Sequence, residues 1–494
     1  MYLLYSLLLG LGVLLLLPRF LFDAARHGKY AAGLGERAGG LPPFDAGGRP
    51  VLWLHCVSVG ETQAARPLVK ALLEKFPTHA LVVSTTTQTG QRVAREAFGA
   101  RAALVCYFPF DWAWAVRRAL RRVNPSAVLL METELWPNFL RECRRVGVPA
   151  AVVNGRLSEK SFRRYKLARP FIRRTLSDLS LALVQTEADA GRLRALGLAP
   201  GRVRVTGNVK FDLEESGEAA LTEELRLRFG LVPGGRPLIL AASTHEPEER
   251  LLVEAYGMTA EPAAPPSTTV TSATASPATT SSATSPAPSP TSGPRPRLLI
   301  APRHPERFGE VAALLDRTKL SWSRRSDPPR PGDAACDAIL LDSIGELRAA
   351  YPLAALVFVG GSLVPVGGHN VLEPALSARC VVTGPHTFNF RQVAASLLEC
   401  DALVRLPELP PAEVAPALAR LFRELLAEEE RRRSIGRRAR KVLEENRGAT
   451  ALTVELLAPL LGEAGRAGPS SHAREGAAGP AFESLARGRG SSRP

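Results

Sequence analysis

A glycine-rich loop is the first feature of this chain that could do chemistry. Its glycines stand at positions 360, 361, 367 and 368, directly after the apolar run Leu356–Val359. Glycine permits backbone conformations that other residues avoid and lets main-chain N–H groups approach a ligand closely. Asn370, with Glu373 three residues later, has the spacing of a capping box at a helix N-terminus. Such a terminus attracts anions, so the loop predicts a phosphate site, and a tight turn without a ligand is the alternative.

Carboxylates follow two other apolar runs of the sequence. Glu61 comes after Val51–Cys56 within Ser-Val-Gly-Glu, and Glu132 comes after residues 127–131 within Met-Glu-Thr-Glu-Leu-Trp-Pro. A carboxylate that removes a proton from a hydroxyl nucleophile typically raises a reaction rate about 10²- to 10⁴-fold. Ser58 and Glu61 also have capping-box spacing, as do residues 243 and 246 and residues 343 and 346, so these glutamates could instead hold helix N-termini.

Short apolar runs separated by amphipathic stretches must position these residues. This alternation indicates βαβ units and parallel sheets. The predicted strands are residues 51–56, 80–84, 103–107, 127–131, 150–153, 181–185, 203–206, 238–242, 298–301, 338–342, 356–359, 381–383 and 403–405. The alternation of strands and helices predicts an α/β protein with two doubly wound domains that meet near residues 207–220. Ligands of such sheets bind beyond the carboxyl ends of the strands, where Glu61, Glu132 and the glycine-rich loop stand.

Seven polar clusters at these strand ends resemble, in the same order, the 3-deoxy-D-manno-octulosonic acid (Kdo) transferases of lipopolysaccharide synthesis. The clusters are residues 55–62, 131–138, 154–158, 207–212, 243–246, 302–308 and 343–347. The resemblance implies the GT-B glycosyltransferase fold, with two Rossmann-like domains facing a cleft. It also implies CMP-Kdo as donor, the lipid A precursor lipid IVA as acceptor, and a location on the cytoplasmic face of the bacterial inner membrane.

The resemblance further implies roles for individual residues. Glu61 corresponds to the catalytic base, and Glu132 and Lys210 correspond to residues that stabilise the transition state. The positions that match CMP-binding segments are Pro302, Arg303, Ile344, Gly345, Glu346, Asn370, Val371, Leu372 and Glu373.

The chemistry expected of this set is a single displacement with inversion. Glu61 would take the proton of the acceptor hydroxyl, while Arg303 and the helix N-terminus at Asn370 would meet the negative charge that grows on the leaving CMP phosphate. Lys210 would act near the reacting centre. We expect no metal and no cofactor, because these groups already meet the charge and no Asp-x-Asp motif stands in a plausible place.

The N-terminus and the net charge predict a membrane partner. Residues 3–17 form an uncharged apolar run, which residues 20–22 extend, and basic residues follow it. This pattern predicts an uncleaved anchor over residues 1–22 with the body of the protein in the cytosol, and an interfacial segment is the alternative. The formal charge of +15 is mostly arginine, with a dense run between Arg117 and Arg164. We expect this run to face anionic lipid, and ordinary solvated helix faces are the alternative.

Composition completes the predicted domain organisation. Residues 262–296 are almost entirely Pro, Ser, Thr, Ala and Gly, which predicts a disordered surface insertion, and residues 462–494 predict a disordered basic tail. Between the anchor and the tail we expect an acceptor-binding domain over residues 23–210 and a CMP-Kdo-binding domain over residues 211–461, which contains the insertion. The six cysteines lack the spacing of a zinc site or a disulfide framework, which favours a reducing cytosol.

Two other functions fit part of the sequence. A different GT-B nucleotide-sugar glycosyltransferase or an epimerase would share the second domain, but it would not carry the clusters around Glu61 and Glu132. A membrane-tethered nucleic-acid-binding protein would suit the basic charge. No helix-turn-helix, zinc finger or basic patch interleaved with aromatic residues supports that function, so we expect no nucleic-acid partner.

Overall fold

The structure, a computed structural model, describes residues 1–27, 33–213, 218–259 and 295–466. The chain divides into two compact units, Met1–Gly207 together with the chain from Thr450 onward, and Asn208–Ala449. Most of the predicted insertion and most of the predicted tail lie outside the described residues. Their disorder therefore stays a prediction.

The first unit is a doubly wound sheet with helices between its strands. Its elements are α1 (Tyr2–His27), α2 (Leu34–Arg37), β1 (Val51–Cys56), α3 (Val59–Lys75), β2 (Ala80–Thr85), α4 (Gln88–Phe98), β3 (Leu104–Tyr107), α5 (Ala113–Val123), β4 (Pro125–Met131), α6 (Pro137–Arg145), β5 (Ala150–Gly155), α7 (Glu159–Leu167), α8 (Arg169–Leu176), β6 (Leu181–Val184), α9 (Glu187–Leu196) and β7 (Val203–Val205). The strands are parallel and lie in the order β3-β2-β1-β4-β5-β6-β7. The strand order reverses between β1 and β4, which is the place where ligands bind in open α/β sheets.

The second unit repeats this plan. Its elements are α10 (Ala219–Arg228), β8 (Leu238–Thr244), α11 (Glu248–Thr259), β9 (Arg297–Pro302), α12 (Phe308–Asp316), β10 (Trp322–Arg324), β11 (Ala338–Leu340), α13 (Leu347–Ala350), β12 (Leu356–Val359), α14 (Leu372–Leu376), β13 (Cys380–Thr383), α15 (Arg391–Glu399), β14 (Val404–Arg405), α16 (Pro411–Ala427) and α17 (Glu429–Glu445). The parallel strands lie in the order β10-β11-β9-β8-β12-β13-β14, so this sheet reverses between β8 and β12. A last helix, α18 (Ala449–Arg466), belongs from Thr450 onward to the first unit.

Burial explains why these segments form central strands. All residues of β1, β2, β5 and β9 are buried, as expected for parallel strands covered on both faces. In the first unit Trp53 of β1 packs edge-on against Phe139 of α6 at 5.3 Å between ring centroids. The two parallel sheets confirm the predicted α/β architecture.

The first helix binds to the first unit through its polar side chains. The hydroxyl of Tyr2 donates to Asp178 at 2.7 Å, and the hydroxyl of Tyr5 donates to Asp111 at 3.0 Å. The amide of Asn138 donates to the Ser6 hydroxyl at 3.0 Å. Eight leucines of the same helix are exposed, namely Leu3, Leu4, Leu7, Leu8, Leu11, Leu14, Leu15 and Leu16. Within the described part of the chain, no helix has the length and apolar character needed to cross a membrane. The anchor over residues 1–22 therefore stays a prediction.

The arginine run is better neutralised than the sequence suggests. Among its ten arginines, Arg117 and Arg145 both pair with the buried Glu142, and Arg144 pairs with Asp178. Arg156 and Arg163 also have glutamate partners. Half of the ten arginines are therefore paired with carboxylates. Glu132, Glu142 and Glu159 lie within the same stretch of sequence, and Asp178 follows it.

Candidate active site

Glu61 lies where β1 passes into α3, at the point where the order of the first sheet reverses. Ser58 is the N-cap of α3, and its hydroxyl accepts from the Glu61 N–H at 3.3 Å. In return the Glu61 carboxylate accepts from the Ser58 hydroxyl at 2.9 Å and from the Val57 N–H at 2.8 Å. Each carboxylate oxygen thus accepts one hydrogen bond, while a carboxylate offers about four acceptor positions. Ser58 therefore caps α3, although the return bond of Glu61 comes from the Val57 N–H and not from the Ser58 N–H of a strict capping box. These bonds still leave Glu61 able to accept a further proton.

The surroundings of Glu61 bring its protonation close to neutral pH. The residue is only 6% exposed. Burial, with smaller contributions from the charges of Glu132 and Glu134, raises the pKa of the Glu61 carboxyl to about 7, against the opposing hydrogen bonds from Val57 and Ser58. Burial and the charge of Glu132 also raise the pKa of Glu134. A general base works best when its pKa lies near the operating pH, so this environment suits Glu61 to proton transfer.

Glu132 is held in an unusual backbone conformation directly after β4. Its φ is 53°, in the left-handed region that side-chain-bearing residues seldom occupy. Its N–H donates to the Val153 carbonyl of β5 at 2.9 Å, and its carboxylate pairs with Arg156 at 3.1 Å. Strain of this kind persists where the surroundings fix it, and it is concentrated at functional sites. The first unit therefore brings Glu61, Glu132 and Glu134 together at one switch point, as the strand-end argument predicts.

In the second unit the glycine-rich loop encloses an anion that belongs to the protein itself. The buried Glu248, at the start of α11, accepts from the N–H groups of Gly361, Ser362 and Leu363 at 2.7, 2.9 and 2.9 Å. The same carboxylate accepts from the His245 N–H at 3.0 Å. The prediction that the N–H groups at this bend cradle a phosphate is therefore wrong, because a glutamate occupies that position.

The later part of the loop is also tied internally. The N–H groups of Gly367 and Gly368 donate to the Gly361 carbonyl, and the His369 N–H donates to that of Gly360. Gly361 has a φ of +65°, and a Cβ there would lie 3.0 Å from the His369 ring. The glycines therefore shape a rigid support on which His369 and Asn370 stand.

The predicted CMP-binding segment Asn370 to Glu373 leads into the short helix α14, which begins at Leu372 and has Val371 as its N-cap. Asn370 accepts from the Leu372 N–H at 3.0 Å and donates to the Glu373 carboxylate at 3.2 Å, so it bonds to the start of the helix from just before the N-cap. Val371 and Leu372 are buried. Because α14 has only five residues, its dipole is smaller than the sequence argument assumes.

Arg303 is the exposed cation of the second unit's switch point. Its N–H donates to the Thr244 carbonyl of β8 at 3.0 Å, which places it directly after Pro302 at the end of β9. Among the described residues its guanidinium has no carboxylate partner, unlike Arg307 nearby, which pairs with Glu249 and Glu310. An exposed, uncompensated guanidinium suits the binding of a phosphate.

The segment 343–346 differs from its predicted form. Glu346 does not close a capping box with Ser343, because its carboxylate binds Arg325 through two hydrogen bonds of 2.7 and 3.1 Å. Gly345 has a φ of +92°, and Ile344 is 81% exposed. Glu246 likewise pairs with Arg307 and does not cap with Ser243. Of the three serine–glutamate pairs with this spacing, only Ser58 and Glu61 bond to each other at a helix N-terminus.

Lys210 lies in a short 3-10 helix, Val209–Phe211. The Asn208 side chain caps that helix by accepting from the Lys210 N–H at 3.0 Å. The Lys210 ammonium stands 5.8 Å from the centroid of the Phe390 ring, at the entrance to α15. Its role in stabilising a transition state stays a prediction.

Three residues with clear structural roles were assigned no individual role from the sequence. Glu248 holds the loop, and His245 and His369 share a hydrogen bond of 2.7 Å between their Nε2 atoms. The sequence does contain a signal for Glu248, because this carboxylate comes soon after the predicted strand at residues 238–242. Only the fold brings it to the loop, because the two are 113 residues apart.

Two Rossmann-like units with polar groups at their switch points define a class of fold, that of GT-B enzymes. The same class includes a UDP-GlcNAc 2-epimerase from Neisseria meningitidis, solved with UDP-GlcNAc, which is similar with a TM-score of 0.50 and 12% identity over 84% of this chain and all of that one. At such low identity the likeness concerns the fold alone.

Sequence comparison narrows the class to a family. Residues 32–213 match the family model "3-Deoxy-D-manno-octulosonic-acid transferase (kdotransferase)". A 3-deoxy-D-manno-octulosonic acid transferase of Bordetella pertussis is 36% identical over 90% of this chain and 92% of its own length. One of Haemophilus influenzae is 33% identical over 83% of this chain and 87% of its own. The chain therefore belongs to the 3-deoxy-D-manno-octulosonic acid transferase family of glycosyltransferases, which confirms the family predicted from the strand-end motifs.

Proposed function

We propose that this protein transfers Kdo from CMP-Kdo to lipid IVA, by an inverting single displacement in which Glu61 is the general base. Family membership supports the transferred sugar. The observation that carries the mechanism is the Glu61 carboxylate, buried at a sheet switch point with its pKa raised to about 7. Such a carboxylate is ionised often enough at neutral pH to act, and it is basic enough to take a hydroxyl proton as the new bond forms.

The donor side of the proposal rests on the second unit. Arg303 carries an exposed positive charge at the other switch point, and in the same unit Asn370 bonds to Glu373 at the start of α14. Charge develops on the CMP phosphate as the bond to the sugar breaks, and fixed cations and N–H groups lower the energy of that state. We extend the proposal to Lys210 and Glu132 as groups that stabilise the transition state, without a metal ion.

The proposal includes association with the cytoplasmic face of the bacterial inner membrane. The support comes from the exposed leucines of α1, a helix whose polar side chains Tyr2, Tyr5 and Ser6 are bonded to the first unit. Exposed apolar surface of this kind is typical of a helix that meets lipid.

The test is transfer itself. Purified protein incubated with CMP-Kdo and lipid IVA should convert the lipid to a product heavier by one or more Kdo residues, as measured by mass spectrometry, and the conversion should persist in the presence of a chelator. An unchanged lipid mass with CMP-Kdo, but conversion with another nucleotide sugar, would contradict the proposed donor.

A further inference from the structure

Two histidines at the switch point of the second unit form one hydrogen-bonded pair. His245 follows β8 and His369 follows β12, and these strands are neighbours in the sheet. The Nε2 atoms are 2.7 Å apart, the ring planes are within 3° of parallel and the ring centroids are 5.0 Å apart. The centroid distance equals the nitrogen separation plus one ring radius on each side, so the rings lie edge to edge in nearly one plane. This is the geometry of an N–H···N hydrogen bond, and we refer to these two residues as the imidazole pair.

The hydrogen bond between the rings fixes their tautomers. In a neutral pair one ring carries its proton on Nε2 and donates it, and the other must accept with a bare Nε2. The accepting ring therefore carries its proton on Nδ1. Among the described residues neither Nδ1 atom has a hydrogen-bond partner. One ring N–H is thus available to a ligand.

Burial and cationic neighbours keep the pair neutral. Burial, followed by the nearby His304, Arg303 and Arg307, lowers the pKa of His245 to about 4. Burial, His245, Arg303 and His304 lower the pKa of His369 to about 3. The one carboxylate bonded to this segment is Glu248, which binds the His245 backbone N–H and not the ring. His304 packs edge-on against His245 with ring centroids 5.2 Å apart.

We propose that the imidazole pair binds the phosphate of the donor nucleotide through this ring N–H, beside Arg303, and that the bond between the two histidines selects the tautomer that presents it. The inference rests on the proposed CMP-Kdo donor. A neutral imidazole can stabilise a developing oxyanion by donating a hydrogen bond, and a hydrogen bond to a charged group contributes enough to change an affinity about tenfold or more.

The experiment compares CMP with cytidine, which lacks the phosphate, by calorimetry on the full chain. His245→Ala and His369→Ala should each weaken CMP binding about tenfold and leave cytidine binding unchanged. The double variant should be little worse than either single variant, because both act through one hydrogen bond. Gln at either position, which keeps an amide N–H, should recover part of the affinity. His79→Ala, at a buried histidine of the first unit, is the matched control and should bind CMP as the wild type does.

Two further readouts separate this role from a structural one. The wild-type-to-variant ratio of CMP affinity should stay constant between pH 6.5 and 8, whereas an imidazolium site would lose its advantage as the pH rises. In ¹⁵N spectra of labelled histidine, one ring of the pair should carry its proton on Nε2 and the other on Nδ1. The inference would be overturned if the variants bound CMP normally or lost cytidine affinity to the same extent. It would also be overturned if the wild-type-to-variant ratio of CMP affinity fell as the pH rose, or if both rings of the pair had the same tautomer. A wild-type protein that bound no CMP would instead contradict the proposed function.

Discussion

The pH dependence of turnover should report the ionisation of Glu61. Its pKa is raised to about 7, mainly by burial, so the catalytic carboxylate form is lost as the pH falls through 7. About one tenth of the residue is ionised at pH 6 and about nine tenths at pH 8, which predicts a roughly tenfold rise in kcat/KM over that interval. A solvated glutamate would be almost fully ionised at both pH values and would give a flat profile.

Variants identify the group behind this titration. The charges of Glu132 and Glu134 raise the pKa of Glu61, so Glu134→Gln should move the midpoint of the acid limb to lower pH. Asp111 is the control, because burial raises its pKa to about 7 as well while it caps α6 and binds Tyr5. Asp111→Asn should leave the midpoint unchanged. A profile that is flat down to pH 5.5, or a midpoint that moves with Asp111 and not with Glu134, would refute the assignment of Glu61.

Three further predictions concern the loop, the first helix and the insertion. Glu248→Gln should lower the free energy of unfolding by at least about 2 kcal/mol and weaken CMP binding, because the single amide oxygen of glutamine cannot accept from all four backbone N–H groups that Glu248 binds. An unchanged melting temperature would contradict this prediction. The combined change Leu7→Ser, Leu11→Ser and Leu14→Ser should reduce sedimentation with anionic vesicles at least about tenfold, because each leucine buried in lipid contributes about 1.5–3 kcal/mol. The melting temperature should stay close to that of the wild type. Equal sedimentation would exclude this face of α1 as a lipid contact. Deleting residues 267–294 should leave turnover within a few-fold of the wild-type value, because a segment of this composition cannot form a core and a shorter loop closes at lower entropic cost. Loss of CMP binding on deletion would show that the segment is structural.

Strand positions were predictable because buried parallel strands are continuous apolar runs. Each of the thirteen predicted runs overlaps an observed strand. The strand that the sequence missed is β10, whose three residues Trp-Ser-Arg at the edge of the sheet do not form an apolar run. The ends of the strands were predictable from the same apolar runs. The sequence could therefore place Glu61, Glu132 and Arg303 at the switch points of the two sheets.

The contacts made by individual polar groups were not predictable from spacing. Three serine–glutamate pairs have the same separation, yet only Ser58 and Glu61 bond to each other, because Glu246 and Glu346 pair with arginines from distant positions. The glycine-rich loop did bind an anion, as its N–H groups require. The sequence could not indicate that this anion is Glu248, since partners 113 residues apart are joined only by the fold.

The central claim is that Glu61 removes the acceptor proton, and Glu61→Gln tests it most directly. Glutamine can still accept from the Val57 N–H and bond with Ser58, so the cap and the melting temperature should change little. Turnover of CMP-Kdo with lipid IVA should fall at least about 10²-fold at unchanged CMP-Kdo affinity, because only proton removal is lost. Glu142→Gln, the same change at a buried glutamate of α6 that pairs with arginines, should keep normal turnover. Near-normal turnover by Glu61→Gln would contradict the mechanism and leave Glu61 as a helix cap.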